Sequence, residues 1–321
     1  MKYKLKKISG DASFREFYRL KKNNNKSSVI VFAKKEKFKN LAVYTVINNV
    51  LNDNKINAPK LLSNHYKNDM IEISDLGEKS FYDLVISKKN KLNSYKSLIK
   101  LLIKIQKIKV KKLYKFEKLK IKIPNYTLSN LHKESDLFFD WYLSYALKNK
   151  KVSKIKKILR SELNKVYKKL NFKNNTFVHR DFHISNVMIN KNKLGIIDSQ
   201  DAIIGNPLYD VSSLIDDVRI KLPNKLQNQL LDYYHKNSKL KCDHIEKLKN
   251  DFDILSVQRN LKILGIFVRL YKRDNKDNYL KFLPYTWTLI EKRLQNPALK
   301  NLKLLFYKHL SIKKLKKLNK I

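Results

Sequence analysis

Three oxygen-bearing side chains set the terms for any chemistry: Asp181, Asn186 and Asp198. They lie in the stretch Phe177-Val-His-Arg-Asp-Phe-His-Ile-Ser-Asn-Val-Met-Ile189 and the run Leu194-Gly-Ile-Ile-Asp-Ser-Gln-Asp201. Val187 to Ile189 and Gly195 to Ile197 are short apolar runs parted by the polar residues Asn190 to Lys193, which is the pattern of a hairpin. Folding it about Asn192 sets Asn186 opposite Asp198, bringing an amide oxygen and a carboxylate to one end. A small set of oxygen donors suits magnesium, which takes its remaining ligands from phosphate and water. Asp181, five residues before Asn186, can face the same place from outside the metal shell, as base or positioning group for a hydroxyl. Phosphoryl transfer asks for little more than a clamped phosphate, neutralised charge and a hydroxyl held in line. The plainer alternatives are a capping role for Asp181 and a mere hairpin boundary for Asn186 and Asp198, since Asp and Asn favour turns and caps.

The elements that must position these groups change character along the chain. Tyr3 to Ile8, Phe14 to Leu20, Ser28 to Ala33 and Met70 to Ile73 read as strands. Phe38, Leu41, Ala42, Val46 and Val50 fall at helical spacing, and that pattern closes before Pro59. Beyond residue 80 the signal is mostly helical, with stripes at Leu98, Leu101, Leu102 and Ile105 and at Leu137 to Leu147. Val257 to Leu270 and Tyr285 to Leu294 read as further helices. The expectation is an α+β chain, with a small, mainly antiparallel sheet domain over residues 1–80 and a larger helical one over 81–321. A cleft between two such lobes is a common ligand site.

Composition narrows the function. A hydrophobic fraction of 43% over 321 residues is ample for a packed core. A single cysteine, Cys242, allows no internal disulfide and fits a reducing compartment. Neither a signal peptide nor a membrane span is legible, so the expected location is the cytoplasm. The net charge of +43 invites a nucleic-acid reading, but the lysines are spread through nearly every segment and arginine is scarce. A nucleic-acid partner is therefore not expected; the field instead favours anionic ligands such as nucleotides. The histidines are dispersed, and there is no Walker sequence, Rossmann fingerprint or zinc-type spacing.

His179-Arg-Asp-Phe-His-Ile-Ser-Asn186 followed by Asp198 resembles the catalytic and metal-binding segments of the protein-kinase-like aminoglycoside phosphotransferase superfamily. Further stretches resemble the anomeric kinases of N-acetylmuramate and N-acetylglucosamine in cell-wall recycling. These are Gly10-Asp-Ala-Ser-Phe-Arg-Glu-Phe-Tyr-Arg-Leu20, Asp75-Leu-Gly77, Asp140-Trp-Tyr-Leu143, Ile197-Asp-Ser-Gln-Asp-Ala202, Gly205-Asn-Pro-Leu-Tyr-Asp210, Gln258 to Leu270 and Tyr279-Leu280. The likeness runs in order from about residue 9 to residue 306. It implies a bilobal kinase-like fold, ATP as co-substrate, Mg2+, and a small-molecule acceptor, with aminoglycosides or other metabolites as the enzyme alternative and an idle kinase-like binding module as the non-enzyme one. By the same resemblance Asp181 is the catalytic base, and Asn186 and Asp198 are the metal ligands. Gly10, Asp11, Ser13 and Arg15 belong to a phosphate-facing turn, and Asp75 and Leu76 to the hinge beside the base. Asp210 supports the catalytic loop, while Arg180 and His183 are acceptor-facing or supporting.

Two departures from the family stand out. Ser199 replaces the usual phenylalanine after the metal-binding aspartate, and its smaller apolar area predicts a less firmly held Asp198. The strand Ser28 to Ala33 lacks the lysine that grips the outer phosphates in protein kinases, leaving Lys34, Lys35 and Arg15 as candidates, with Glu16 or Glu36 to orient them. His179 reads as structural, and Trp141, Tyr142 and Tyr145 as core or sugar-pocket lining. Arg259 and Arg269 read either as acid-recognising groups or as members of ion pairs.

Overall fold

Strand alternation builds the first sheet. A computed structural model describes residues 4–8, 15–21, 27–33, 38–147, 151–190, 193–238, 240 and 245–316. Strands β1 (Lys4–Ile8), β2 (Glu16–Lys21), β3 (Ser27–Phe32), β4 (Leu61–His65) and β5 (Met70–Ser74) pair antiparallel in the order β1-β2-β3-β5-β4. β3 takes the centre because Val29, Val31 and the following Ala33 are all buried, whereas the lysines of β1 keep that edge wet and unattractive to a further strand. Helix α1 (Phe38–Asp53) lays Leu41 and Tyr44 on the sheet, where they meet Val31, Ile71 and Ile73. Sequence reasoning finds four of the strands and this helix; β4 lacks a clear alternation and escapes it.

Two compact units result, neither continuous in sequence. One comprises Met1–Ser94, Lys104–Pro124 and His179–Ile203; the other comprises Tyr95–Ile103, Asn125–Val178 and Ile204–Ile321. The limits 1–80 and 81–321 expected from the sequence follow chain order, whereas by contacts the segment with Asp181, Asn186 and Asp198 groups with the sheet. Backbone hydrogen bonds explain this. In the hairpin of Val187–Asn190 and Lys193–Ile196, Ile196 N donates to Asn57 O at 2.8 Å and Ile189 N to Lys79 O at 2.9 Å. The approach is close enough that a Cβ on Gly195 would lie 2.9 Å from both Asn57 Nδ2 and Leu76 Cδ1, so a larger residue would have to displace those side-chain ends.

In the second unit, helices Leu128–Leu137, Val152–Tyr167, Leu208–Ile215, Asn224–Asn237, Ile245–Asp274, Leu283–Arg293 and Lys300–His309 surround an aromatic core. Phe138, Phe139, Tyr142, Trp287 and Phe306 are fully buried in edge-on and stacked contacts. Trp287 Nε1 donates to the Tyr142 hydroxyl at 2.7 Å, which itself donates to Leu315 O at 2.9 Å, so both polar handles are satisfied. Tyr142 is thus core, while Trp141 and Tyr145 are half-buried and Tyr145 packs on Tyr271. Of the lysine-rich end, read from sequence as a helix over Ser311 to Ile321, the described part holds the short helix Ile312–Leu315 with Ile312 and Leu315 buried. No helix among the described residues is long and apolar enough to cross a membrane. Cys242 lies outside the described residues.

Buried carboxylates organise this unit. Glu134 accepts from Tyr126 at 2.6 Å, Tyr209 at 2.9 Å and Gln258 at 2.9 Å, and it pairs with Lys262 at 3.3 Å. Asp216 takes two donors of Arg293, each at 2.8 Å. Asp251 accepts from the backbone of Asn171 and Phe172 and from the side chain of Asn206. Tyr209, Gln258, Lys262 and Asn206 all fall in stretches that carry the family likeness, and here they serve the fold.

The tightest backbone approach in the unit is at Gly265, where a Cβ would sit 2.3 Å from the Leu137 carbonyl atoms. Gly265→Ala is expected to destabilise the protein by about 1–3 kcal/mol despite the better helix propensity of alanine, because the clash is with backbone. Urea denaturation of the two proteins measures it.

Candidate active site

One hydrogen-bonded circuit ties the loop to the hairpin. The Asp181 carbonyl accepts from His183 N at 3.1 Å and from Asn186 Nδ2 at 3.0 Å. The Asn186 carbonyl accepts from Ile197 N at 3.0 Å, and the Ile197 carbonyl accepts from His179 Nε2 at 3.1 Å. The hairpin register differs from the expected one by a residue: Ile196 pairs with Val187, so Asn186 faces Ile197 and not Asp198. The expectation assumed a fold about Asn192, whereas the observed pairing is centred half a residue earlier. Asp198 follows the pairing and turns out of it in the left-handed region, at φ 64°, while Arg180 on the loop stands at φ 78°. Non-glycine residues held there carry strain of about 1–3 kcal/mol each and cluster at functional sites.

The electrostatics place two carboxylates within reach of each other. Burial pushes the Asp198 carboxyl up to about 6, and the charge of Asp181 adds to the rise; Gln200 Nε2, donating to Oδ1 at 2.8 Å, and the Arg15 guanidinium oppose it. A carboxylate so destabilised as an anion favours a bound cation. With the Asn186 amide nitrogen committed to Asp181 O, its oxygen is the atom left for a ligand. One amide oxygen and one carboxylate fit magnesium, which needs few protein groups. Among the described residues no cluster of three or more His, Cys, Asp or Glu offers an alternative metal site. His179 is fully buried, and burial lowers its pKa to about 4, so it stays neutral and donates to Ile197 O.

The remaining expected residues divide. Gly10, Asp11 and Ser13 lie outside the described residues, as do Lys34, Lys35 and Glu36. Arg15 is buried at 7% exposure, its guanidinium 5.8 Å from the centre of the Tyr44 ring. β3 carries no lysine, so Arg15 is the described cation whose charge acts on Asp198. Glu16 pairs with Lys7 at 3.2 Å and accepts from the Tyr18 hydroxyl. Asp75 is taken up by the fold. Arg19 donates to both its oxygens, at 2.6 and 3.2 Å, and Gly77 N to Oδ1 at 2.9 Å. Burial alone would raise the Asp75 pKa, but hydrogen bonds from Arg19, Ser27 and Gly77 outweigh it and hold it below the usual range. Leu76 is buried beside Gly195. Arg180 lies 3.8 Å from Asp201, and His183 is buried, as is Asp210 in the first turn of Leu208–Ile215 within the second unit. Arg259 is buried, and neither it nor Arg269 forms an ion pair among the described residues.

Sequence reasoning missed Asn48 and Tyr44, both buried on α1. Ser199 is wholly buried and donates to Asn48 Oδ1 at 2.6 Å, so a hydrogen bond stands where the family packs an aromatic ring. Burial pushes Tyr44 up to about 12, with the Asp198 charge adding and Asn48 and Arg15 opposing. A polar residue on an otherwise apolar helical face, Asn48 between Ile47 and Leu51, was the available signal.

Comparison with known proteins gives a consistent set of relatives. The profile of a phosphotransferase enzyme family matches residues 4–248. An N-acetylmuramate/N-acetylglucosamine kinase from Pseudomonas aeruginosa is 28% identical over 301 residues, covering 89% of this chain and 83% of its own length. Among solved structures, a Plasmodium vivax ethanolamine kinase superposes with a TM-score of 0.65 at 14% identity, over 94% of this chain and 84% of the other. A thermostable mutant of an aminoglycoside phosphotransferase, in complex with ADP and hygromycin B, gives 0.64 at 13% identity, over 92% and 94%. The fold is therefore kinase-like.

The neutral, buried His179 links stability to pH. Its folded pKa of about 4 is below the unfolded value of 6.5, so the contribution is full above pH 6.5 and is lost as pH falls towards 4. Asp198 and Asp253, whose pKa values burial raises, act in the opposite sense. Both are common to wild type and His179→Gln, so the stability difference between the two proteins should shrink by about 3 kcal/mol on going from pH 7 to pH 4. Denaturation of both at several pH values measures it.

Proposed function

The chain belongs to the phosphotransferase enzyme family, and from that membership we propose that it moves the terminal phosphoryl group of ATP to the anomeric hydroxyl of an amino sugar, N-acetylmuramate or N-acetylglucosamine. The observation that carries the chemistry is the circuit joining Asp181, Asn186 and the Asp198 segment. The acceptor rests on likeness to the curated kinase of that name over nearly nine-tenths of the chain.

In this reading the Asp181 carboxylate accepts the proton of the sugar hydroxyl as its oxygen bonds to the terminal phosphorus. The bond from that phosphorus to the bridging oxygen breaks, and ADP leaves with the electron pair. Asn186 Oδ1 and the Asp198 carboxylate would hold Mg2+, which would supply neutralisation of the phosphate charge. Arg15, at the end of the expected phosphate-facing turn and beside the Tyr44 ring, supplies the cation that a β3 lysine supplies in protein kinases. Asp75 stiffens the hinge through Arg19, leaving backbone groups to meet the base.

The high positive charge speaks against polycationic antibiotics as acceptors and for anionic ones. The decisive experiment incubates purified protein with Mg2+ and ATP against N-acetylmuramate, N-acetylglucosamine, aminoglycosides and ethanolamine, and locates the phosphate by phosphorus NMR. Phosphate at the anomeric position of an amino sugar is expected; phosphate at another hydroxyl overturns the acceptor assignment. Asp181→Asn is expected to lower kcat by about 10²–10⁴-fold with the fold intact. Arg15→Ala should lower kcat/KM for ATP by about 10–100-fold, the worth of one charged hydrogen bond, and leave the acceptor KM near its original value.

A further inference from the structure

Asp198 is held from both sides. Before it, both polar groups of Ile197 are bonded to the loop, through Asn186 O and His179 Nε2. After it, Asp201 lies 3.8 Å from Arg180 on the loop, and the Ser199 hydroxyl donates to Asn48 Oδ1 across a separation of 151 residues. Both partners are almost completely shielded from water, Ser199 at 0% and Asn48 at 1% exposure. A hydrogen bond in such a place has no water to replace it, so deleting one partner leaves the other unsatisfied. Between these two anchors Asp198 adopts φ 64°, a left-handed conformation that aspartate tolerates better than most residues but that still costs free energy to hold.

The same face of α1 reaches the rest of the site. Tyr44 is one turn before Asn48, its ring under the Arg15 guanidinium and its hydroxyl within range of the Asp198 charge. One turn after Asn48, Asn52 Nδ2 donates to Asn48 O and to Ala58 O, tying α1 to the segment that carries Asn57 and the hairpin. The helix thus meets the residue after Asp198 and the cation near it, and is joined to the hairpin through the segment carrying Asn57.

We propose that Asn48 and Ser199 are a positioning pair, which fixes Asp198 in its left-handed conformation and makes the metal-binding geometry depend on the placement of α1. The serine is on this account a working replacement for the family's aromatic residue, with direction supplied by a hydrogen bond where the ring supplies only packed area. The proposal deepens the functional reading above and rests on Asp198 being a metal ligand.

The test uses the full chain as Ser199→Ala, Asn48→Ala, the double variant and Ser199→Thr, which keeps the hydroxyl. Two readouts are taken after confirming cooperative unfolding: amide hydrogen exchange over residues 197–201, and the Mg2+ concentration giving half-maximal transfer. Loss of either partner should speed exchange in 197–201 and raise the Mg2+ requirement by about five-fold or more, the worth of one net hydrogen bond, with the acceptor KM unchanged. The double variant should be no worse than either single one, and Ser199→Thr should restore the lower Mg2+ requirement. Unchanged exchange and Mg2+ dependence in Ser199→Ala, or full additivity of the two single changes, overturns the proposal. If the wild type transfers no phosphate at all, the functional reading fails instead; Mn2+ binding followed by electron paramagnetic resonance then replaces turnover, and loss of affinity in Ser199→Ala still decides the matter.

Discussion

The peptide groups of Ile197 carry more of this site than any single side chain. A buried backbone donor or acceptor must find a partner, and here the loop supplies both: Asn186 O for the N–H and the His179 ring for the carbonyl. Full burial keeps His179 neutral, and the bond to Ile197 O fixes its proton on Nε2. The hairpin register, the position of Asn186 and the departure of the chain into Asp198 all follow from that pair of bonds. Strain at Arg180 and Asp198 is then the cost of joining a loop to a hairpin within so few residues.

Much of this was legible because periodicity is a local property. The strands of the sheet, α1, and the hairpin with its bounding Asn186 and Asp198 are written in short runs of apolar and turn residues. The one-residue error in register arose where pairing, not pattern, decides: Asn57 and Lys79 grip the hairpin from distant parts of the chain. β4 was missed because its second half, Ser63 to His65, is polar and it owes its place to β5. Asn48 stood out as a polar residue on its helix, but its role could not be read, because its partner is Ser199 and no rule of spacing connects residues so far apart. Asp75 shows the reverse limit. Its place in the expected hinge was legible, but its pairing with Arg19, 56 residues earlier, was not.

The excess of lysine makes the use of acids more telling. Against 71 basic residues stand 28 acidic ones, and several of the few are buried as hubs of hydrogen bonding. Glu134 gathers four partners, Asp216 clasps Arg293, and Asp251 caps two backbone amides. Such groups cannot be exchanged for lysine without stranding their donors, so a bias that reaches nearly every exposed position stops at them. The charge of the chain therefore reports on its surface, while the acids that remain report on its architecture.

The discontinuous make-up of the first unit bears on how the protein is made. Its sheet and α1 leave the ribosome early, but Asn57 O, Lys79 O and Asn48 Oδ1 receive their donors only from residues 189, 196 and 199. Until that stretch is synthesised the nascent sheet lacks its hairpin, and most of the second unit's residues 125–178 are already waiting outside. Contacts of such wide sequence separation are slow to close and leave edges exposed meanwhile. The segment that carries Asp181, Asn186 and Asp198 is thus also a late-arriving part of the first unit: its arrival supplies the donors that Asn57, Lys79 and Asn48 accept.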